Sequence, residues 1–470
     1  MNVERAAAAC LFPGFAGLSP PEWVRRWVER GLGGVVLFGQ NIEASGQVRD
    51  LTAALRAERG DLLVATDEEG GDVTRLEAHR GSSYPGNWAL GIVDDAGLTE
   101  AVAASIAAEL AGVGINLDFA PVADVNSNPD NPVIGIRSFG GEPTLVARHV
   151  RAFVTGLQAG GVAGCAKHFP GHGDTSQDSH LELPVVEGNV GEALEPFRAA
   201  IAAGVRSIMT AHVLVPELAS EQATLSREIL QVLLRDELGF GGVAITDALE
   251  MRAVADTVGV EEGAVLALAA GADALCLGAD IDEPIVGAVH AAVVDAVRAG
   301  RLGEERLGEA AERVQTLAAW AATPSGSTPR PELGARAAAL ALRTDGAIAL
   351  SAPPLVVDLR PTASIAAGEA GHGLADLMEV GEAVVVREGD PLPEPNGRPL
   401  VVVVRDAHRH EWERTAVEGL LGRAPQAVVL ETGLPLWQPE GAAYVASYGG
   451  GRANLEAAAS ALRPAVVGEL

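Results

Sequence analysis

Fourteen residues, Lys167-His-Phe-Pro-Gly-His-Gly-Asp174-Thr-Ser-Gln-Asp178-Ser-His180, hold a lysine, three histidines and two aspartates. They follow the apolar run Gly161 to Cys165, so the pattern is a strand running into a polar loop. A loop of this chemistry is the wall of an active site or solvated surface. Asp178 lies two residues before His180. A carboxylate at that spacing holds an imidazole in one tautomer and raises its basicity, which suits proton shuttling. Asp247 ends a second apolar run, Val243-Ala-Ile-Thr246. Fixed at a strand end, it can attack an electrophilic carbon; the plainer alternative is an N-cap for a helix starting at Ala248. A carboxylate nucleophile plus a proton shuttle is the minimum for retaining glycoside hydrolysis, with the Asp-steered His180 in place of the usual acid/base carboxyl. Gly171 and Gly173 suggest a loop able to move.

Two further segments carry candidate binding groups. In Asp67-Glu-Glu-Gly-Gly-Asp-Val-Thr-Arg75 the glycine pair allows a tight turn near a ligand. Asp67 suits vicinal hydroxyls and Arg75 suits a sugar oxygen, the alternative being a hairpin with exposed acids. The Asn- and Pro-rich loop from Asn126 delivers Arg137, whose fork matches carbonyl or hydroxyl oxygens, while its asparagines and prolines shape the backbone. A metal is not expected. The histidine intervals fit no compact zinc signature, and Pro170, Gly171 and Gly173 break any helix that would align His168 with His172.

Positioning these groups requires a scaffold. Eight short apolar runs recur: Ala8–Phe12, Gly33–Phe38, Leu62–Thr66, Ile115–Ala120, Val162–Ala166, Ser207–Ala211, Gly242–Thr246 and Ala272–Leu277. Amphipathic helical stretches separate them. Fully apolar short strands alternating with helices predict a helix-covered parallel sheet, and eight units fit a (β/α)8 TIM-type barrel. A doubly wound open sheet is the alternative. Asp67, Glu68, Glu69, Asp124, Asn126, Lys167, His168, His212 and Asp247 all follow the ends of runs, as residues at a barrel mouth do. The Pro/Ser/Thr-rich segment that begins at Ala321 reads as a linker. Beyond it the runs Ala347–Leu350, Leu355–Leu359, Ala383–Val386, Leu400–Val404 and Ala427–Leu430 predict a smaller C-terminal α/β sandwich domain. The expected organisation is residues 1–320 as barrel, 321–334 as linker and 335–470 as sandwich.

The chain has 470 residues, and its 63 acidic against 34 basic side chains give a formal charge of -29. Nucleic acid and anionic membrane are therefore not expected as partners. The three cysteines, Cys10, Cys165 and Cys276, sit in apolar sequence and read as reduced core thiols. With only a short apolar start at Ala6 to Phe12 and no run of spanning length, the expectation is a cytoplasmic protein.

Together, Asp67-to-Arg75, Ala120-Pro-Val-Ala-Asp124, Arg137-Ser-Phe139, Lys167-to-His180 and Thr246-Asp247-Ala-Leu-Glu-Met251 make the chain resemble glycoside hydrolase family 3, in its bacterial β-N-acetylglucosaminidase branch. Glu431-Thr-Gly433 and Ala446-Ser-Tyr-Gly449 resemble that family's C-terminal domain with weaker motifs. The resemblance implies Asp247 as nucleophile, His180 as acid/base and Asp178 as its partner. It implies sugar-binding roles for Asp67, Arg75, Arg137, Lys167 and His168, no cofactor, and an oligosaccharide substrate bound by a monomer or weak homo-oligomer. The expected reaction releases terminal GlcNAc from cell-wall or chitin-derived fragments. The alternatives are a phosphorylase using the same residues, a non-catalytic sugar-binding protein and a metal-dependent hydrolase. The family often has Arg in place of Asp72 and Gln in place of Glu68; the extra acid is expected to disfavour a strongly anionic aglycone.

Overall fold

Short runs of β-branched and small apolar residues fill strand positions buried on both faces. The computed structural model of the protein describes residues 2–178, 183–322, 326–348, 350–362, 368 and 372–463. Contacts divide the chain into two units: Met1–Glu69, Thr99–Ile134 and Gly140–Pro329 form the first, and Gly70–Leu98, Gly135–Phe139 and Arg330–Leu470 the second.

Among the described residues the first unit contains eight strands: β1 (Leu11–Pro13), β2 (Gly34–Val36), β3 (Leu63–Thr66), β4 (Leu117–Asp118), β5 (Ala163–Phe169), β6 (Ser207–Thr210), β7 (Val243–Thr246) and β8 (Leu275–Gly278). β2 to β7 pair in sequence order as one curled parallel sheet, and β1 pairs in parallel with β8. A parallel bridge between Ile245 and Ala274 links β7 to the start of β8. Phe12, Leu63, Ala65, Leu117, Phe119, Cys165, Met209 and Ile245 share one core with Val314, Leu317 and Ala318 of the helix Glu304–Ala321. The run at Ala8–Phe12 divides: Ala8 belongs to the helix Val3–Ala9, and the strand begins at Leu11. Alanine favours helix, and Asn2 caps it by accepting the Arg5 N–H.

In the second unit, β9 (Arg343–Asp345), β10 (Leu355–Leu359), β11 (Glu382–Val386), β12 (Leu400–Val404), β13 (Val428–Glu431) and β14 (Ala443–Ala446) form a sheet in the order β11-β10-β12-β13-β14-β9. All neighbours are parallel except β14 and β9. Side chains alternate across this sheet. Leu400, Val402 and Val404 pack with Ala416, Val417 and Leu420 of the helix Glu411–Arg423. Val401 and Val403 pack with Leu455, Ala458 and Leu462 of the helix Arg452–Leu462. The described part of Ala347–Leu350 is not a strand; the edge strand is the exposed Arg343–Asp345. The three cysteines are buried and unpaired. No helix among the described residues is long and apolar enough to cross a membrane.

Candidate functional site

β5 places Lys167 and His168 at its carboxyl end. The Lys167 ammonium is almost fully buried, 2.6 Å from Asp67 Oδ1 and 2.7 Å from Glu69 Oε1. Asp67 and Glu69 follow the end of β3. A buried ammonium is stable when its donors are taken by charged acceptors. Asp67 is the more exposed of the two acids, with 17% of its side-chain surface open against 2% for Glu69.

His168 is steered from β4's side. Its ring Nδ1 donates to Asp124 Oδ2 at 2.7 Å, and its main-chain N–H points at both Asp124 oxygens at 3.2 Å. The His172 N–H adds a bond of 2.7 Å to Asp124 Oδ1. Asp124 is fully buried, which raises its pKa, but His168 and His172 outweigh burial and hold it below the usual carboxylate range. His172 is buried in turn. Desolvation pushes its pKa down to about 4 despite Asp124, so its ring is neutral at pH 7. It bonds Thr175 Oγ1 through Nδ1 at 2.7 Å.

The following loop is built for close approach. A Cβ on Gly173 would lie 1.8 Å from the Val125 carbonyl oxygen, and Gly171 has a φ of +131°. These glycines fit the loop against its neighbours, a different use from the mobility read in the sequence. The asparagines of the neighbouring loop tie it to this one. Asn131 accepts the Val133 and Ile134 N–H groups and donates to the His172 carbonyl, and Asn128 donates to Asp174 and Thr175.

Asp247 stands just past the end of β7, half-buried. Its N–H donates to the Thr210 carbonyl at 3.2 Å, and its Oδ1 accepts the Ala248 N–H at 2.8 Å. No helix starts at Ala248; the next is Arg252–Ala255, preceded by Met251. Asp247 is therefore not a helix cap. Asp178 is half-buried, and His180 lies outside the described residues.

Arg75 and Arg137 belong to the second unit. The segment carrying Arg75 is anchored there. Asp72 Oδ2 pairs with Arg405, Asp72 Oδ1 accepts the Gly450 N–H at 2.7 Å, and Glu77 pairs with Arg452 at 3.0 Å. The Arg137 carbonyl accepts from Asn87 Nδ2 at 2.7 Å. Asp72 is thus not an open charge: Arg405 cancels it, and its side chain is only 9% exposed. Glu68 is buried as well. The expectation that these acids repel an anionic aglycone loses its basis at Asp72.

One group, Asp118, and the partners of two others escaped the sequence reading of the site. Asp124 and Glu69 were visible as acids at strand ends, but their partnership with His168 and Lys167 was not. Asp118, at the end of β4, is fully buried and accepts the Glu68 N–H at 2.9 Å. Burial drives its pKa well above the carboxylate range, and the Glu68 N–H opposes this only in part. Among the described residues no group of three or more His, Cys, Asp or Glu side chains is arranged to hold a metal ion.

Comparison with known proteins agrees with this architecture. The model of the glycosyl hydrolase family 3 N terminal domain matches residues 20–317. Beta-hexosaminidase A of Pseudoalteromonas piscicida is 36% identical over 329 residues, which span 63% of this chain and 55% of that protein. A beta-hexosaminidase of Pseudomonas aeruginosa is 40% identical over 251 residues, spanning 52% of this chain and 74% of that one. The solved glycoside hydrolase family 3 beta-N-acetylglucosaminidase of Paenibacillus sp. str. FPU-7 superposes over 98% of this chain and 96% of its own, with a TM-score of 0.86 and 32% identity. With the family model covering most of the chain, and its strand ends carrying the Asp67, Lys167-His168 and Asp247 motifs, the protein belongs to glycosyl hydrolase family 3.

Proposed function

We propose that this protein is a retaining exo-β-N-acetylglucosaminidase that hydrolyses terminal non-reducing GlcNAc from cell-wall or chitin-derived oligosaccharides. One observation carries the reading. The Lys167–His180 string, ending in Asp-Ser-His, stands in a chain that follows a solved β-N-acetylglucosaminidase over 98% of its length. In this reading the eight parallel strands close as a (β/α)8 barrel, for which the β1–β8 pairing and the Ile245–Ala274 bridge are the support.

The reaction runs in two steps. Asp247 bonds to the anomeric carbon as the bond to the aglycone oxygen breaks, and His180 gives that oxygen its proton. His180 then takes a proton from water, whose oxygen bonds to the same carbon and releases Asp247. Asp178 orients and charges the imidazole. Asp67, Arg75, Arg137, Lys167 and His168 hold the sugar. The Lys167 bridge holds Asp67 in place, and Asp124 fixes the proton of His168 on Nδ1, so Nε2 is the ring atom left for the ligand side.

The test is a panel of chromogenic β-glycosides of GlcNAc, glucose and xylose, each with and without inorganic phosphate. The expected result is a kcat/KM for GlcNAc about a hundredfold or more above the others, because polar groups built for an acetamido sugar are left unpaired by its analogues. The product is free GlcNAc in both buffers. Preference for glucose, or a sugar phosphate as product, overturns the proposal.

A further inference from the structure

His212 lies two residues beyond β6, and its side chain is completely buried. Its Nε2 is 3.1 Å from the Ala248 carbonyl oxygen and its Nδ1 is 2.8 Å from Thr224 Oγ1. A carbonyl only accepts, so Nε2 carries a proton and donates it to Ala248. In the neutral ring Nδ1 then accepts from the Thr224 hydroxyl. Thr210 Oγ1 lies 2.8 Å behind that hydroxyl and supplies it with a proton in turn. The Ala211 carbonyl, 2.9 Å from Thr224 Oγ1, shares the Thr224 proton. Thr210 and Thr224 are also fully buried, so no water competes for these bonds.

This line ends at the carbonyl of Ala248, the residue after Asp247. The Ala248 N–H donates to Asp247 Oδ1, and the Asp247 N–H donates to the Thr210 carbonyl. Residues 247 and 248 are thus pinned from β6 at both ends, by the Thr210 carbonyl and by His212. No helix begins there to hold them in its own hydrogen bonds. A strand-end carboxylate on an irregular turn needs such outside support to keep one direction.

We propose that His212 is a positioning residue for the nucleophile. By holding the Ala248 carbonyl it fixes residue 248 on its far side, while the Thr210 carbonyl fixes the Asp247 N–H on the near side. The peptide between them, whose Ala248 N–H meets Asp247 Oδ1, is thereby held, and with it the plane of the Asp247 carboxylate. The inference rests on Asp247 as nucleophile, and it adds a residue outside the set implied by the family resemblance.

Two conservative variants of the full chain separate positioning from packing. The amide nitrogen of Gln occupies the place of Nε2, and that of Asn the place of Nδ1. His212→Gln therefore keeps the donor to Ala248, while His212→Asn keeps only the contact to Thr224. On a chromogenic GlcNAc glycoside, His212→Asn is expected to lower kcat about tenfold to a hundredfold with KM within about threefold, and His212→Gln to stay within about fivefold of the parent in both. Equal losses in the two variants, or a loss confined to KM, overturn the proposal. Should both variants fail to fold, as read from thermal unfolding, Thr224→Val takes their place. It keeps the shape and removes the hydroxyl. A fall in kcat of about threefold or more at constant KM supports the relay, and an unchanged kcat overturns it. Asp247→Asn assayed alongside distinguishes the two levels: full activity there removes the nucleophile reading itself, whatever His212 does.

Discussion

Asp247→Asn is expected to reduce kcat about a thousandfold or more on every GlcNAc glycoside, because an amide cannot form the glycosyl ester. The fold should be unaffected. Asp247 is half-buried at a strand end, and the amide oxygen of Asn can accept the same Ala248 N–H that Oδ1 accepts now. The unfolding midpoint should therefore match that of the parent within a few degrees. The loss of rate is then chemical. Retention of more than a few per cent of the parent kcat, after deamidation has been excluded by mass, contradicts the assignment.

The second large effect is selective. His180→Ala should lower kcat/KM by about 10²–10⁴ for an alkyl or sugar aglycone, the range that general acid–base catalysis supplies. For a dinitrophenyl aglycone the loss should be slight, since a phenolate of low pKa departs without a proton. Asp178→Ala should follow the same pattern more mildly, because it acts only through the imidazole. Equal losses across leaving groups assign His180 to binding or structure instead of acid catalysis.

The parts of the molecule that could be read from sequence are those governed by local pattern. Each of the eight apolar runs overlaps a strand of the first unit, because a strand buried on both faces needs an unbroken apolar stretch. The exceptions have the same explanation. Ala6 to Ala9 are apolar and buried, but alanine supports helix equally well, so hydrophobicity alone does not place the boundary. β9 is exposed at all three residues and held by main-chain bonds to β14, so it gives no apolar signal. β14 itself is a short Ala-Tyr-Val-Ala segment that does not stand out from its surroundings.

The site divides in the same way. Residue types at strand ends pointed to Asp67, Lys167, His168 and Asp247. Their partnerships were invisible, because they join positions far apart in sequence: Lys167 meets Asp67 across 100 residues and His168 meets Asp124 across 44. Gly173 shows a limit of composition. In sequence a glycine-rich loop suggests motion, whereas here the missing Cβ makes room for the Val125 carbonyl. The Asp72 region shows another. Gly70–Leu98 groups with the C-terminal residues through Asp72–Arg405 and Glu77–Arg452, ion pairs whose partners lie more than 300 residues away. The second unit thus holds the segment that carries Arg75, a task its own sequence does not announce.

The central claim, that Asp247 is the group that bonds to the sugar, is open to one direct measurement. A 5-fluoro GlcNAc glycosyl fluoride loads the first step through its good leaving group and slows the second through the ring fluorine, so a covalent intermediate accumulates. Digestion and peptide mass spectrometry then locate the label. The account predicts one sugar adduct, on the carboxylate of Asp247, formed by the parent protein and absent from Asp247→Asn. An adduct on any other carboxylate, or inactivation with no adduct at all, contradicts it.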